Sequence, residues 1–436
     1  MGVSAAEGFL KDLGLWAEIG DMPGFAARFE AEMLAGLSGG ESSLRMLPSY
    51  ISPDDVEGAL RSGAGGGSVI AIDAGGTNLR VAAVSPRGGI GRSEKSLMPG
   101  VKREIGVEEF FDGIAGCLAP VISESDSIGF CFSYPAEILP NRDARIVSFT
   151  KELKVRDAEG ALVGEMLRAA LKARGLPCDK RIAVLNDTVA TQLGALWAAG
   201  GEERRGGFMG LIMGTGINAS YTEKNGSILK DAALAARPGF TIVNIEAGGY
   251  RGLPLEEADR RFMASTADPG GQWLEKMAAG AYHGGLMLEW MRFAGERGLF
   301  SDGFRRRLDG LGAIGVGEAD RFCLSQDGEN ALSGLCAGED DRERLRLLIE
   351  AFFDRVSFIV ASTLAATLAR MGDVARDPAR PVRISAEGST FYGSRMLRPR
   401  IDRCMSVGAR GMMGLCHRFV RVENVTLMGA ALAGLV

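Results

Sequence analysis

Two stretches of the chain carry the same alternation of apolar runs and small polar turns. Val69-Ile70-Ala71-Ile72-Asp73 is a short apolar strand, Ala74-Gly75-Gly76-Thr77-Asn78 a glycine turn, and Leu79 to Val84 a second strand. The pattern returns at Phe208–Met213, the turn Gly214-Thr215-Gly216-Ile217-Asn218, and Ala219–Thr222. Two phosphate-type hairpins about 140 residues apart predict a duplicated architecture. Between them, Ser127–Tyr134 reads as a strand, the period near Gly164–Ala173 as a helix, and Arg181–Leu185 as a strand running into Asn186-Asp187-Thr188. Alternating strands and helices predict an α/β sheet. A helical period over Pro23–Leu37 stops at Ser38-Gly39-Gly40, and Ser62 to Ser68 has a connector's composition. The second half is helix-rich, near 272–294, 318–337 and 340–371, before a strand at Val382–Ser385 and a turn at Glu387-Gly388-Ser389.

Length adds a cleft to this picture. A chain of 436 residues exceeds one compact core, since single cores rarely grow past about 250–300 residues, so two domains are expected. With 46% hydrophobic and 24% charged residues the chain should fold throughout. A net charge of −5 lacks the basic face of a general nucleic-acid binder. The 7 cysteines, at 117, 131, 178, 323, 336, 404 and 416, form no CxxC and no close pair, which suggests neither a disulfide framework nor a thiolate zinc site and fits a reducing, cytoplasmic setting. The N-terminal residues read as an amphipathic helix rather than a signal peptide, and Ala6 breaks a myristoylation pattern after Gly2. The apolar stretch Ile349–Met371 contains Glu350, Asp354, Arg355 and Arg370, so it reads as a buried core helix and not a membrane span.

Phosphoryl transfer needs close backbone approach to phosphates, a carboxylate to handle a metal, a cation on the transferred group and a base on the acceptor hydroxyl. The first hairpin supplies glycines at 75 and 76, donors at Thr77 and Asn78, Asp73 for hydrated Mg²⁺ and Arg80 for phosphate oxygens. The second turn also matches a degenerate G-x-G-x-x-A dinucleotide fingerprint, but a strand rather than a helix follows it, which favours a second phosphate hairpin. No G-x-x-x-x-G-K-[ST] segment exists. Gly36-Leu37-Ser38-Gly39-Gly40 formally matches G-x-S-x-G, yet its helix-then-loop context does not suit a nucleophile elbow. Asp187 follows a strand at the carboxyl end where α/β ligands bind, which suits a general base; Asn186-Asp187-Thr188 also reads as the cap of a helix starting near Val189, and both can hold.

Met46-Leu47-Pro48-Ser49-Tyr50, Ile72 to Val81, Gly129 to Pro135, Thr150-Lys151, Asn186 to Val189, Gly214 to Ala219, Asn244 to Gly248, and Asp268 to Gln272 with Glu275-Lys276-Met277 and Gly280-Ala281-Tyr282 resemble, in order, the signatures of eukaryotic-type hexokinases. The resemblance runs from about Phe29 to the C-terminus. It implies a two-lobe actin-like ATPase (ribonuclease H-like) fold and transfer of the γ-phosphate of MgATP to the 6-hydroxyl of a glucose-like hexose. It implies a sugar site of Ser133, Thr150, Lys151, Asn186, Asp187, Asn218, Glu246 and Glu275, with Asp187 as base and Lys151 and Arg80 as charged catalytic partners. Carboxylates and amides together suit hydroxyls that both donate and accept. By the same resemblance Asp73, Gly75, Gly76, Thr77, Asn78, Arg80, Gly214 and Thr215 serve MgATP, Asp73 reaching Mg²⁺ through water, and Gly388 with Ser389 forms the adenosine-side turn.

Departures from the family pattern are Glu387-Gly388 for Asp-Gly, Val425 to Ala431 without the Gly-Ser-Gly-Lys lead-in, Ala247 for tryptophan, and Glu152-Leu153 for Gly-Phe. They bear on nucleotide and sugar preference. The expected division is a large lobe of 1–67 and 188–415 and a small lobe of 68–187 and 416–436, in a monomer or homodimer with no nucleic-acid or membrane partner. With only two histidines and no clustered cysteines, the zinc-bearing bacterial glucokinases are disfavoured. A hexose-binding sensor of the same fold is the alternative from another class.

Overall fold

The computed structural model describes residues 3–62, 67–85, 89–149, 153–199, 207–324 and 330–436. Helix α1 (Val3–Asp12) and helix α2 (Met22–Ser38) open the chain, and Gly39 closes α2 in the left-handed conformation at φ 77°. This confirms the helix-then-loop setting of the G-x-S-x-G match; Ser38 Oγ merely donates back to the Ala35 carbonyl. A two-residue strand, β1 (Leu47–Pro48), follows. The core of the expected connector, 63–66, lies outside the described residues.

The first sheet is built from β2 (Val69–Ala74), β3 (Asn78–Val84), β4 (Ile90–Leu97), β5 (Ser127–Phe132) and β6 (Arg181–Leu185), with helices α3 (Val107–Leu118) and α4 (Val163–Ala173) between its later strands. Helix α5 (Asp187–Ala198) leads on from β6 to the second sheet: β7 (Phe208–Met213), β8 (Ile217–Lys224), β9 (Phe240–Asn244), β10 (Val382–Glu387) and β11 (His417–Val420). A long helical insertion between β9 and β10 includes α6 (Trp273–Ala278), α7 (Gly280–Glu296) and α8 (Glu339–Arg370). Helix α9 (Ser389–Gly393) follows β10, and α10 (Val425–Ala433) ends the chain. The expected helical stretch 318–337 is present as Val316–Leu324 and Ala331–Leu335, with 325–329 outside the described residues.

The duplication foreseen from two hairpins extends to whole sheets. The first sheet runs β6-β5-β2-β3-β4 and the second β11-β10-β7-β8-β9, with β1 added on the far edge. In each, three antiparallel strands form a meander and two parallel strands flank its first member. In each, a helix then leaves the fifth strand, α5 from one sheet and α10 from the other. These two helices pack together at backbone distance. A Cβ on Gly429 would stand 1.8 Å from the Ala190 carbonyl oxygen, and one on Gly129 in β5 would stand 1.6 Å from that of Ala430.

Period-2 burial explains the continuous apolar runs. Ile70, Ile72, Phe130 and Val184 enter the core under α3 and α4, while Val69, Ala71, Cys131 and Leu185 enter a second core shared with α5 and α10. That second core also takes Phe208 and Ile242 from the other sheet, so it joins the two halves. The largest core lies beneath the second sheet around α8, whose residues between Leu345 and Leu368 are mostly buried, with Arg355 paired to Asp259 inside it and Arg346 and Asp354 exposed on the outer face. The expected core helix is therefore found, and among the described residues no helix is long and apolar enough to cross a membrane. Strand β11 pairs with β10 in the second sheet, so of the 416–436 segment expected with the small lobe, it is α10 that lies against the first sheet.

Candidate active site

Both hairpin turns, the carboxyl end of β6 and the start of α5 open onto one cleft of about 940 Å³. Asp73, Gly75, Gly76, Thr77, Asn78, Arg80, Ser133, Asn186, Asp187, Thr215, Asn218, Glu246 and Glu275 all line it. Gly214, Gly388 and Ser389 sit just behind: a Cβ on Gly214 would lie 3.5 Å from Gly388 Cα and 3.8 Å from Ser389 N. Gly388 has φ 124° and approaches the Met213 carbonyl so closely that a Cβ would be 2.3 Å from its oxygen, which only glycine permits. Thr150 and Lys151 lie outside the described residues.

The first turn is a tight reversal in which Gly75 N donates to the Asn78 carbonyl at 3.1 Å, leaving Thr77 and Asn78 exposed. Asp73 and Arg80 are direct cross-strand partners in the β2–β3 ladder, so their ion pair follows from register. The second turn closes with Gly214 N donating to the Gly216 carbonyl at 2.9 Å. It is anchored from below: Gly280 N at the start of α7 donates to the Gly214 carbonyl at 2.8 Å, and Thr390 Oγ1 donates to the same oxygen at 3.0 Å.

On the other wall an amide and carboxylate network is fixed in one orientation. Asn218 Oδ1 accepts from the backbone N–H of Ala219 at 2.8 Å and of Ala247 at 3.1 Å. Its Nδ2 donates to Asn244 Oδ1 at 2.7 Å and to Glu246 at 3.3 Å, and Asn244 Nδ2 donates to Glu246 at 2.7 Å. Burial pushes the Glu246 carboxyl above its ordinary value and the nearby Asp187 adds to this, against the Asn244, Arg45 and Asn218 contacts that lower it. Glu275, from α6, accepts from Ile217 N at 3.3 Å. Glu246 and Gln272 hold φ of 59° and 53°, and Met46 and Tyr50, flanking the cleft residues Leu47 and Ser49, hold 48° and 56°. Non-glycine residues in this region cost on the order of 1 kcal/mol or more each and cluster at functional sites.

Asp187 is the first residue of α5, capped by Asn186 Oδ1 accepting from Thr188 N at 2.9 Å. The capping and cleft-facing roles expected of this segment therefore coexist. Helix α5 is tied to the second sheet by Gln192 donating to the Phe208 carbonyl at 3.0 Å and by Ser220 donating to the Thr188 carbonyl at 3.0 Å, which fixes the carboxylate against both sheets. Sequence reasoning did not single out Arg45, Lys95, Tyr134, Asn244, Gln272 and Tyr282, which also line the cleft. Tyr134, Asn244, Gln272 and Tyr282 stand inside the family-like motifs, so their neighbours were the available signal. Tyr134, whose hydroxyl donates to the Gly75 carbonyl beneath the first turn, is pushed well above the usual phenol range by burial and by Asp73.

Two family models, each described as hexokinase, match residues 18–197 and 208–436. The chain belongs to the hexokinase family. Hexokinase-1 of Schizosaccharomyces pombe is 30% identical over 372 residues, covering 79% of this chain and 74% of that protein. Hexokinase-2 of Oryza sativa subsp. japonica is 34% identical over 292 residues, covering 62% of this chain but 56% of that protein, so the match spans little more than half of some relatives. The solved structure of a hexokinase from Schistosoma mansoni complexed with glucose, 22% identical, superposes with a TM-score of 0.74 over 100% of both chains. A further hexokinase crystal structure gives 0.77 at 22% identity over 99% of each chain. These likenesses show the fold, the two-lobe actin-like ATPase architecture expected of the family.

Proposed function

We propose that this hexokinase-family chain transfers the γ-phosphate of ATP to the 6-hydroxyl of a hexose, glucose being the first candidate, with Asp187 as general base. The observation that carries this reading is the convergence, in one cleft, of the Glu246–Asn218–Asn244 network, the helix-borne Asp187 and the Asp73–Arg80 hairpin. The first group offers fixed acceptors to sugar hydroxyls and loses hydrogen bonds when a hydroxyl is missing, which is how such sites reject analogues by about 10⁴-fold or more. Asp187 lines the same cleft as the Glu246 network and the first turn, at a helix start where the dipole favours negative charge, and takes the proton as the hydroxyl oxygen attacks phosphorus. The two glycine turns receive the phosphates through backbone N–H groups, and Arg80 neutralises charge on the transferred group. Thr150 and Lys151 complete the sugar site by resemblance to the family.

Among the described residues no group of three or more His, Cys, Asp or Glu side chains could hold a metal ion, while the first hairpin brings one carboxylate, Asp73, to the cleft. That donor set fits Mg²⁺ carried on a triphosphate, where it keeps several waters and takes one protein carboxylate. Bound so, it would offset the charge of the β- and γ-phosphates. Lobe closure on the sugar would exclude water and limit wasteful ATP hydrolysis.

The test is coupled product formation with MgATP and glucose, mannose, fructose and glucosamine, for wild type and Asp187→Ala. A hexose-dependent 6-phosphate that falls by about 10²–10⁴-fold in the variant supports the reading. Sugar binding without turnover, across ATP, other nucleotides and polyphosphate, overturns it and leaves a sensor.

A further inference from the structure

Among the described residues, every side-chain donor to the Asp73 carboxylate ends on one oxygen. Arg80 Nε donates to Asp73 Oδ2 at 3.1 Å, a second guanidinium nitrogen of Arg80 joins it, and Thr426 Oγ1 donates at 2.8 Å. The same Thr426 hydroxyl accepts from Arg80 Nη2 at 3.2 Å, while Arg80 Nη1 donates to Asn424 Oδ1 at 3.1 Å. Among the described residues none donates to Asp73 Oδ1. The carboxylate is thus pinned by one oxygen and offers the other. Asp73 and Thr426 are only 6% and 8% exposed, so bulk water does not replace these contacts.

Thr426 comes from the far end of the chain. It lies in the first turn of α10, which enters from β11 of the second sheet, and Asn424 caps that helix at φ 52°. The preceding residue, Val425, touches α5 so closely that a Cβ on Gly194 would lie 2.3 Å from its carbonyl oxygen. One rigid element therefore sets the place of Asp73 directly and packs on the helix that bears Asp187.

We infer that Thr426, assisted by Asn424, is a positioning residue for MgATP: it locks Asp73 and Arg80 in register so that one carboxylate oxygen faces the nucleotide-bound metal. The inference rests on the proposed kinase reading and deepens it. A hydroxyl is required because the group must donate to Asp73 and accept from Arg80 at once; serine can do both, and valine, of the same shape as threonine, can do neither.

Kinetics of Thr426→Val, Thr426→Ser and Asn424→Gly test it, the last keeping the positive φ while deleting the acceptor. Losing one charge-assisted bond predicts that Thr426→Val lowers kcat/KM for MgATP by about 10–100-fold and requires more free Mg²⁺ for half-maximal rate. The hexose KM should stay within about twofold, Thr426→Ser should recover most of the loss, and Asn424→Gly should give a smaller shift in the same direction. A Thr426→Val enzyme with wild-type nucleotide KM and Mg²⁺ dependence overturns the inference, as does a serine variant no better than valine. If wild type phosphorylates no hexose, the kinase reading fails by itself. The clamp is then read by calorimetry with a non-hydrolysable Mg–ATP analogue, where valine and not serine must weaken binding for the inference to stand.

Discussion

His283 puts a measurable acid limit on this fold. It lies in α7, fully buried, with its ring edge-on to Phe352 at 5.8 Å between centroids. Neither ring nitrogen makes a hydrogen bond of normal geometry, and the Ala278 carbonyl only partly offsets the cost of burying a charge, so burial depresses the imidazole from 6.5 to about 4. The unfolded chain binds the proton first, so the stability this group contributes is complete above pH 6.5 and is lost as pH falls toward about 4. At about 1.4 kcal/mol per pH unit the limiting loss is about 3 kcal/mol, and about 1.4 kcal/mol of it falls between pH 7.5 and 5.5, above the range of most carboxylates. Urea unfolding of wild type and His283→Met at those two pH values isolates the effect, because methionine fills similar space and does not titrate. Wild type should lose about 1.4 kcal/mol more than the variant. Equal losses in both proteins would refute the argument. The first turn of α7 also holds the Gly214 carbonyl, so acid strain on His283 acts on the helix that anchors the second glycine turn.

Glu246→Gln should raise stability at pH 7.5, since a carboxyl held above its ordinary value destabilises the fold when ionised; the gain disappears as pH falls below the folded value, where wild type is protonated too. The same variant should raise the hexose KM about tenfold or more, the cost of replacing a charged acceptor, and an unchanged KM in a folded protein would remove Glu246 from the sugar wall. Gly129→Ala forces a methyl to 1.6 Å from the Ala430 carbonyl and should cost about 3 kcal/mol or more in denaturant titration, with a weakened MgATP KM as α10 shifts; Gly58→Ala, in the helix Pro53–Ser62 with nothing within 4 Å, should instead add about 0.5–1 kcal/mol.

How far each feature could be read from sequence follows from how local its cause is. Asp73 and Arg80 could be placed together because a short glycine turn joins two adjacent strands of one hairpin, and Asn186 and Asp187 because a strand end and a helix cap are short-range events. The two hairpins announced duplication, but the matched five-strand order of both sheets needed pairings such as β7 with β10, residues 208–212 against 383–387, which no local pattern encodes. Glu246 and Gln272 adopt left-handed backbone without the glycine or asparagine that would flag it, since the surrounding network overrides their preference. Thr426 illustrates the same limit from the other side. Compared with the family pattern it belongs to a segment that departs from expectation, and only its 2.8 Å contact with an aspartate 353 positions earlier shows that the hydroxyl is joined to the first hairpin. Local grammar thus locates the groups proposed to react, whereas the groups that hold them still are supplied by chain segments whose partners exist only after the two sheets have come together.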